Sequence, residues 1–379
     1  MVKSSRTRWG SGAALLALGL GCNSGPVPAG LDATPVAQDT APDRPIAPDR
    51  PGPTEDIPPA DVVDASRPLD VPALPGDVPQ DTPQDTPQDV SEDVPQDVSV
   101  ARDVVAAPDG PVDAGGVPLY AAGDISSCLS PFDEMTATLL DRLPGTILAL
   151  GDNAYQSGAN WEYLLCYGPT WGRHRARTRP VPGNHEYETR GARDYFEYFG
   201  SAAGRPGEGW YSFDHGGWHL VALNSNCSDI GGCGPDSPQG RWLRADLAAH
   251  PARCTLAYMH HPRFSSGRHG SSASMQPLWQ MLYDANADVV LVGHDHHYER
   301  FAPMAPDGTR DPTRGIREFL VGTGGIFHYA LSAPQPNSEV RNNDTHGVLQ
   351  LTLRPDGYDW RFHPVAGRTF TDTGSAPCH

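Results

Sequence analysis

From residue 117 onward the chain repeats one design, a short apolar run closed by a small cluster of polar residues. VPLYAA stops at Gly123-Asp124, TILAL at Gly151-Asp152, RTRPVP at Gly183-Asn184, CTLAYM at His260-His261 and DVVLV at Gly293-His294. Runs this short, rich in branched residues and bounded by glycine, predict buried strands. Between them lie stretches with helical spacing. Ser130-Pro131-Phe132-Asp133 supplies an N-cap, a first-turn proline and a carboxylate ahead of the periodic MTATLLDRL, and SPQGRWLRADLAAH and SMQPLWQMLYDAN read likewise. YSFDHGGWHLVALN predicts a hairpin turning at Gly216-Gly217, and GVLQLTLR and YDWRFH alternate as strands with one packed face. Strands alternating with helices predict right-handed crossovers and an α/β fold. In such sheets ligands collect beyond the carboxyl ends of the strands, where all five polar clusters fall.

The first 116 residues read differently. Residues 1–22, MVKSSRTRWGSGAALLALGLGC, have a basic start, an apolar stretch and small residues before Cys22, the layout of an export signal too short to span a bilayer stably. The arrangement resembles a bacterial lipoprotein signal, with Gly19 where that pattern prefers leucine. Two outcomes are open, a lipid on Cys22 that attaches the protein to a membrane, or cleavage and release. Residues 23–116 are rich in Pro, Asp, Ala and Val, with a four-residue repeat in DVPQDTPQDTPQDVSEDVPQDV. Such a segment has too little apolar surface to offset its ordering entropy and predicts a disordered Pro/Asp-rich stalk. The division is therefore a signal at 1–22, a linker at 23–116 and a catalytic domain at 117–379.

Charge follows the same division. The linker carries −15 of the net −18, which leaves the folded part mildly acidic and without a basic stripe. Nucleic acid is not an expected partner. Cys22 aside, Cys128, Cys166, Cys227, Cys233, Cys254 and Cys378 are an even set in an exported chain and predict disulfides, with only Cys227 and Cys233 suggested as a local pair.

The polar clusters contain Asp124, Asp152, Tyr155, Asn184, His185, His260, His294 and His296. Carboxylate, amide oxygen, imidazole and phenolate suit zinc, manganese or iron. They exceed the needs of one ion and fit a pair about 3.5 to 4 Å apart, the arrangement that supports in-line attack of an activated hydroxide at phosphorus.

The blocks GDIS, GDNAYQ, GNHEYE, MHHPRF and GHDHHYER resemble, in order, the calcineurin-like metallophosphoesterase superfamily and within it the purple acid phosphatases. The resemblance implies a four-layer α-β-β-α sandwich of two mixed sheets flanked by helices. It makes Asp152 the bridging carboxylate, places Asp124, Tyr155 and His296 on the first metal, and places Asn184, His260 and His294 on the second. Most of the superfamily has Asp-x-His in the first block, where this chain has Ser126; Tyr155 makes good the lost ligand and marks the purple acid phosphatase branch. A phenol with an ordinary pKa near 10 ionises at neutral pH only beside a strongly Lewis-acidic ion, so Fe(III) is expected first and divalent Fe, Zn or Mn second. His185 and His269 fall where relatives place histidines that contact phosphate or protonate the leaving group.

The expected function is thus an exported phosphatase acting on small phosphate monoesters, in the cell envelope or secreted. A phosphodiesterase or nucleotidase with the same centre, or an idle surface-anchored binding module, are the alternatives. Glu186, Glu299 and Arg300 are read as positioning groups, and Asp295 and His297 as outward-facing neighbours of the ligands.

Overall fold

The computed structural model describes residues 115–379. The signal, Cys22 and the linker up to residue 114 lie outside the described residues. Strand β1 (Val117–Ala122) leads through a two-residue strand β2 (Ser126–Ser127) and helix α1 (Phe132–Leu140) to β3 (Thr146–Leu150). Then come β4 (Ala154–Tyr155), a single turn α2 (Asn160–Glu162), β5 (Thr178–Val181) and α3 (Arg193–Phe199). The hairpin β6 (Tyr211–His215) and β7 (Trp218–Ala222) precedes α4 (Pro238–Ala249), β8 (Thr255–Tyr258), α5 (Gln276–Asp284) and β9 (Val289–Val292). The chain finishes with β10 (Tyr298–Phe301), β11 (Arg317–Val321), β12 (Ser338–Asn342), β13 (Gly347–Arg354), β14 (Gly357–Pro364) and β15 (Thr373–Pro377).

These strands form two mixed sheets, in the orders β15-β14-β13-β1-β3-β5 and β12-β10-β11-β9-β8-β7-β6. β1, β3 and β5 run parallel in the first, and β7, β8, β9 and β11 in the second. One apolar cluster joins the two sheets and takes in Ala137 and Leu140 of α1 and Tyr195, Phe196 and Phe199 of α3. A second lies on the other face of the second sheet, where Val221, Ala257, Val290 and Leu320 meet Leu243 of α4 and Leu278, Trp279 and Leu282 of α5. Alternate residues of one strand thus serve two cores, Leu220 in the first and Val221 in the second, which is why these strands read as continuous apolar runs.

Local chemistry follows the sequence closely. The Ser237 hydroxyl caps α4 by accepting from the Gly240 amide at 3.0 Å, with proline in the first turn. The β6–β7 turn pairs His215 with Trp218 and holds Gly216 and Gly217 at φ +61° and +80°, the left-handed values a two-residue hairpin loop needs. At α1 the boundary shifts by one, so that Pro131 is the cap and the Ser130 hydroxyl instead donates to the Gly325 carbonyl at 2.6 Å. The six cysteines pair as Cys128–Cys166, Cys227–Cys233 and Cys254–Cys378.

Candidate metal centre

Strand direction brings the site together. β1 and β3 are parallel neighbours, so their ends deliver Asp124 and Asp152 side by side, with the Asp124 amide donating to the Gly151 carbonyl at 3.1 Å. The short β2–β4 pair extends the same register past both residues and carries Tyr155. Asp124, Asp152 and His294 all sit at positive φ, 58°, 49° and 74°. Backbone strain of this kind in non-glycine residues clusters at functional sites. The preceding glycines have a steric reason: a Cβ on Gly183 would collide with the Asp152 carboxylate, and one on Gly293 would lie 2.8 Å from Asp124 Oδ2.

The Tyr155 hydroxyl lies 2.9 Å from both Asp124 Oδ1 and Asp152 Oδ2, and 3.3 Å from His296 Nε2. On the other side of Asp152, its Oδ2 lies 3.2 Å from His260 Nε2, which is also 3.2 Å from Asn184 Oδ1 and 3.2 Å from His294 Nδ1. Asp152 therefore stands between two groups of donors. Among the described residues Asp152, His260 and His294 also form a cluster with metal-ligand spacing.

Proton counting explains why these atoms call for cations. Nδ1 of His260 faces the Leu150 carbonyl at 2.9 Å, and Nδ1 of His296 faces the Phe327 carbonyl at 2.9 Å. Each ring donates its Nδ1 proton there, which aims both Nε2 atoms inward; on neutral His296 that atom offers a lone pair, whereas the aspartates favour a second proton on His260, one that a cation would displace. Imidazole nitrogens, carboxylate and amide oxygens and one phenol then converge with few protons to share. Separations of 2.9 to 3.5 Å match neighbouring ligands around an ion with bonds of about 2.1 Å.

The electrostatics agree. Burial, and after it the Asp152 charge, lifts the Asp124 carboxyl to about 7 against the pull of His260. For Asp152 burial is outweighed by His260 and His185, which hold its carboxyl well below the usual range. Burial works against charge on His260 too, yet the two aspartates raise it to about 9. Burial lowers His296 to about 4 and pushes the Tyr155 phenol well above its ordinary value, Asp124 and Asp152 adding to the latter. Ser126 takes no part in the cluster, since its hydroxyl donates to Asp133 at 2.7 Å.

Both proposed proton-handling histidines stand at the mouth. The His185 ring lies 4.2 Å from that of Tyr155, with Nε2 3.9 Å from Asp152 Oδ2 and Nδ1 2.5 Å from the Gln156 carbonyl. The His269 ring lies 4.6 Å from that of His294. His261 is held behind the ligands, its Nδ1 2.8 Å from the Ser225 hydroxyl and its ring 4.4 Å from that of His294. Glu186 is a positioning group, accepting from the amides of Asp152, Asn153 and Gly183 at 2.9, 2.8 and 2.6 Å. Glu299 accepts from the Ser266 amide at 2.8 Å and hydroxyl at 2.6 Å. Arg300 instead pairs with Asp372 at 2.7 Å, in β10.

Two expectations are corrected. Asp295 and His297 do not face outward; both are buried. Asp295 accepts from the Ser265 hydroxyl at 2.5 Å and the His269 amide at 2.9 Å, and His297 Nε2 lies 3.0 Å from Glu299. The His269 loop folds over this side of the chain and covers Asp295. Tyr329 is a neighbour that sequence reading missed. Its ring stacks on His296 at 4.1 Å, and the Arg268 guanidinium lies 5.4 Å from the same ring. Nothing in GGIFHYA signals that contact.

The calcineurin-like phosphoesterase family model matches residues 117–298. Purple acid phosphatase 21 of Arabidopsis thaliana is 32% identical over 211 residues, covering 50% of this chain and 47% of that protein. An uncharacterized protein of Mycobacterium tuberculosis is 28% identical over 200 residues, covering 42% and 38%. The chain thus spans less than half the length of these curated relatives. Among solved structures, purple acid phosphatase PPD1 from yellow lupin seeds superposes with a TM-score of 0.55 at 16% identity, covering 70% of this chain and 54% of that one. GAP50, the anchor in the inner membrane complex of Plasmodium, gives 0.54 at 13% identity, covering 70% and 89%. Strand order, converging polar side chains and sequence matches lead to one conclusion: residues 117–379 have a calcineurin-like metallophosphoesterase fold with mixed sheets and flanking helices, homologous at low identity to the purple acid phosphatases.

Proposed function

We propose that the folded part is a dinuclear-metal phosphatase hydrolysing phosphate monoesters. Asp124, Tyr155 and His296 would hold a first ion, Asn184, His260 and His294 a second, and Asp152 both. The observation that carries this is the Tyr155 hydroxyl set equally between two buried carboxylates and facing the inward Nε2 of His296, one proton among three acceptors. A phenol raised so far ionises only against a strongly Lewis-acidic cation, which favours Fe(III) there and divalent iron, zinc or manganese beside it. Two such ions supply charge neutralisation for the ester oxygens and acidify a water for in-line attack.

The remaining work falls to the chain. His185 donates a hydrogen bond from Nδ1 to the Gln156 carbonyl, which turns Nε2 toward the mouth; as an imidazolium it would contact the phosphate and pass its Nε2 proton to the departing alkoxide, leaving the neutral Nδ1–H ring. His269 flanks the ester from the His294 side, its loop fixed by the Asp295 carboxylate. The signal-like start and Cys22 favour export, with a lipid on Cys22 and residues 23–116 as a stalk. Among the described residues no helix is long and apolar enough to cross a membrane.

Metal analysis, a visible spectrum and parallel assays of an aryl phosphate monoester and its diester test the proposal. Two ions per chain, a phenolate-to-iron absorption band and faster monoester cleavage are expected. Fewer than two ions after loading with excess metal, or diester cleavage alone, would overturn it.

A further inference from the structure

Beside the metal centre, on the side of the proposed second ion, lies a cavity of about 570 Å³ that reaches Asn184 and His261. Its wall includes Glu188, Asp229, Tyr187 and Asn226. The Cys227–Cys233 disulfide closes the loop that carries Asp229. A leaving group extending from a phosphate held at the metals on this side would enter this space.

The lining is unusual for a site that receives an anion. Glu188 and Asp229 are exposed on the cavity wall, and among the described residues neither forms an ion pair with a basic side chain. Asp229 accepts only from the neighbouring Ser228 hydroxyl, at 2.9 Å. Two uncompensated carboxylates repel a plain phosphate ester over a screening length of roughly 8–10 Å. They become favourable when the ligand brings a positive charge to them.

A third group has the same polarity. Asn226 is only 6% exposed. Its side-chain nitrogen donates to the Pro182 carbonyl at 3.3 Å and to Asn224 Oδ1 at 3.0 Å, which fixes the orientation of the amide. Its Oδ1 has no donor among the described residues, in a side chain that lines the cavity. An acceptor that opens onto the cavity is satisfied by what occupies it, water or a donor on a ligand. Tyr187 adds an aromatic ring, a surface that attracts cations. Two carboxylates, an unpaired amide oxygen and an aromatic ring share one preference, a hydrogen-bond-donating cation.

We infer that this cavity is a specificity subsite for the alcohol portion of the substrate, and that the alcohol carries an ammonium group near its phosphate ester. The inference rests on the phosphatase reading above and narrows it from phosphate monoesters in general to zwitterionic amino-alcohol phosphates. Glu188 and Asp229 supply the charge and Asn226 Oδ1 the directional acceptor.

The test uses non-hydrolysable probes, so that it does not depend on turnover. Aminoethylphosphonate, hydroxyethylphosphonate and propylphosphonate are titrated calorimetrically into the full, metal-loaded chain near neutral pH. The aminoethyl compound is expected to bind about five- to tenfold more tightly than the other two, the scale of one or two exposed ion pairs. Glu188→Gln and Asp229→Asn, made singly and together, should bring the ratio of dissociation constants toward one, with thermal melting confirming that each variant folds. Equal affinity for aminoethyl and propyl probes overturns the inference. So does equal affinity for aminoethyl and hydroxyethyl probes, which would mean that the cavity reads hydrogen-bond donors and not charge, and so does a preference that survives the double variant. A protein that shows the preference but cleaves no ester would instead contradict the phosphatase reading alone.

Discussion

Tyr155 is the residue on which the chemistry turns, because its one proton faces two carboxylates 2.9 Å away and an imidazole lone pair. Removing the hydroxyl leaves the carboxylates in place but removes the proposed phenolate ligand. Tyr155→Phe is therefore expected to abolish the visible absorption band and to lower first-metal affinity about 10- to 100-fold or more, read by spectroscopy and metal titration. Glu186 acts one step back. Buried, it takes amide protons from Asp152, Asn153 and Gly183 and the Tyr163 hydroxyl proton at 3.0 Å. Glu186→Gln turns an NH2 group toward those donors, and a loss of about 2 kcal/mol of stability is expected, measured by denaturant unfolding. Asp124, Asp152, Asn184 and His294 were legible in the sequence because each follows a strand-ending glycine, and the crowding around Gly183 and Gly293 gives that pattern its physical cause. Tyr329 and the burial of Asp295 were not legible, since both depend on loops that are distant in sequence, with no periodicity to announce them.

At the level of elements, helix α4 is tied to the sheet beneath it by a buried polar contact. His219 of β7 lies 2.9 Å from Asp246 of α4 through Nε2 and 2.9 Å from Asp214 of β6 through Nδ1. The Asp246 hydrogen bond, opposed by burial and seconded by Asp214, raises the imidazole above 6.5. A raised folded-state value means that protonation favours the native state: the contribution is complete below about pH 6.5 and is lost as pH rises through the folded value. The stability difference between wild type and His219→Gln should accordingly shrink as pH climbs above about 6.5, checked by melting curves across a pH series; a constant difference would contradict it. Strands and helices of this layer were readable from apolar runs and caps. The two mixed sheets were expected only from the resemblance, and which strand joins which sheet was not readable, because strands buried on both faces carry no alternation to show which neighbour they join.

For the whole folded part, the longest covalent tie is Cys254–Cys378, 124 residues apart in sequence. It fixes the last residues to the start of β8, where the His379 amide also donates to Asp288 Oδ1 at 2.9 Å. Closing so long a loop restricts the unfolded chain, so replacing both cysteines by alanine should cost about 2–4 kcal/mol, seen as a lowered melting temperature. Six cysteines alone allow fifteen pairings, and only the folded topology selects this one. The same tie fixes an orientation. Val117 opens β1, and His379 rests against residues that precede β8 and β9, whereas the ligands follow the far ends of these strands. Both ends of the described part therefore lie at the pole away from the proposed catalytic mouth. A folded part immobilised on a surface through His379 would point that mouth outward, toward the passing solution.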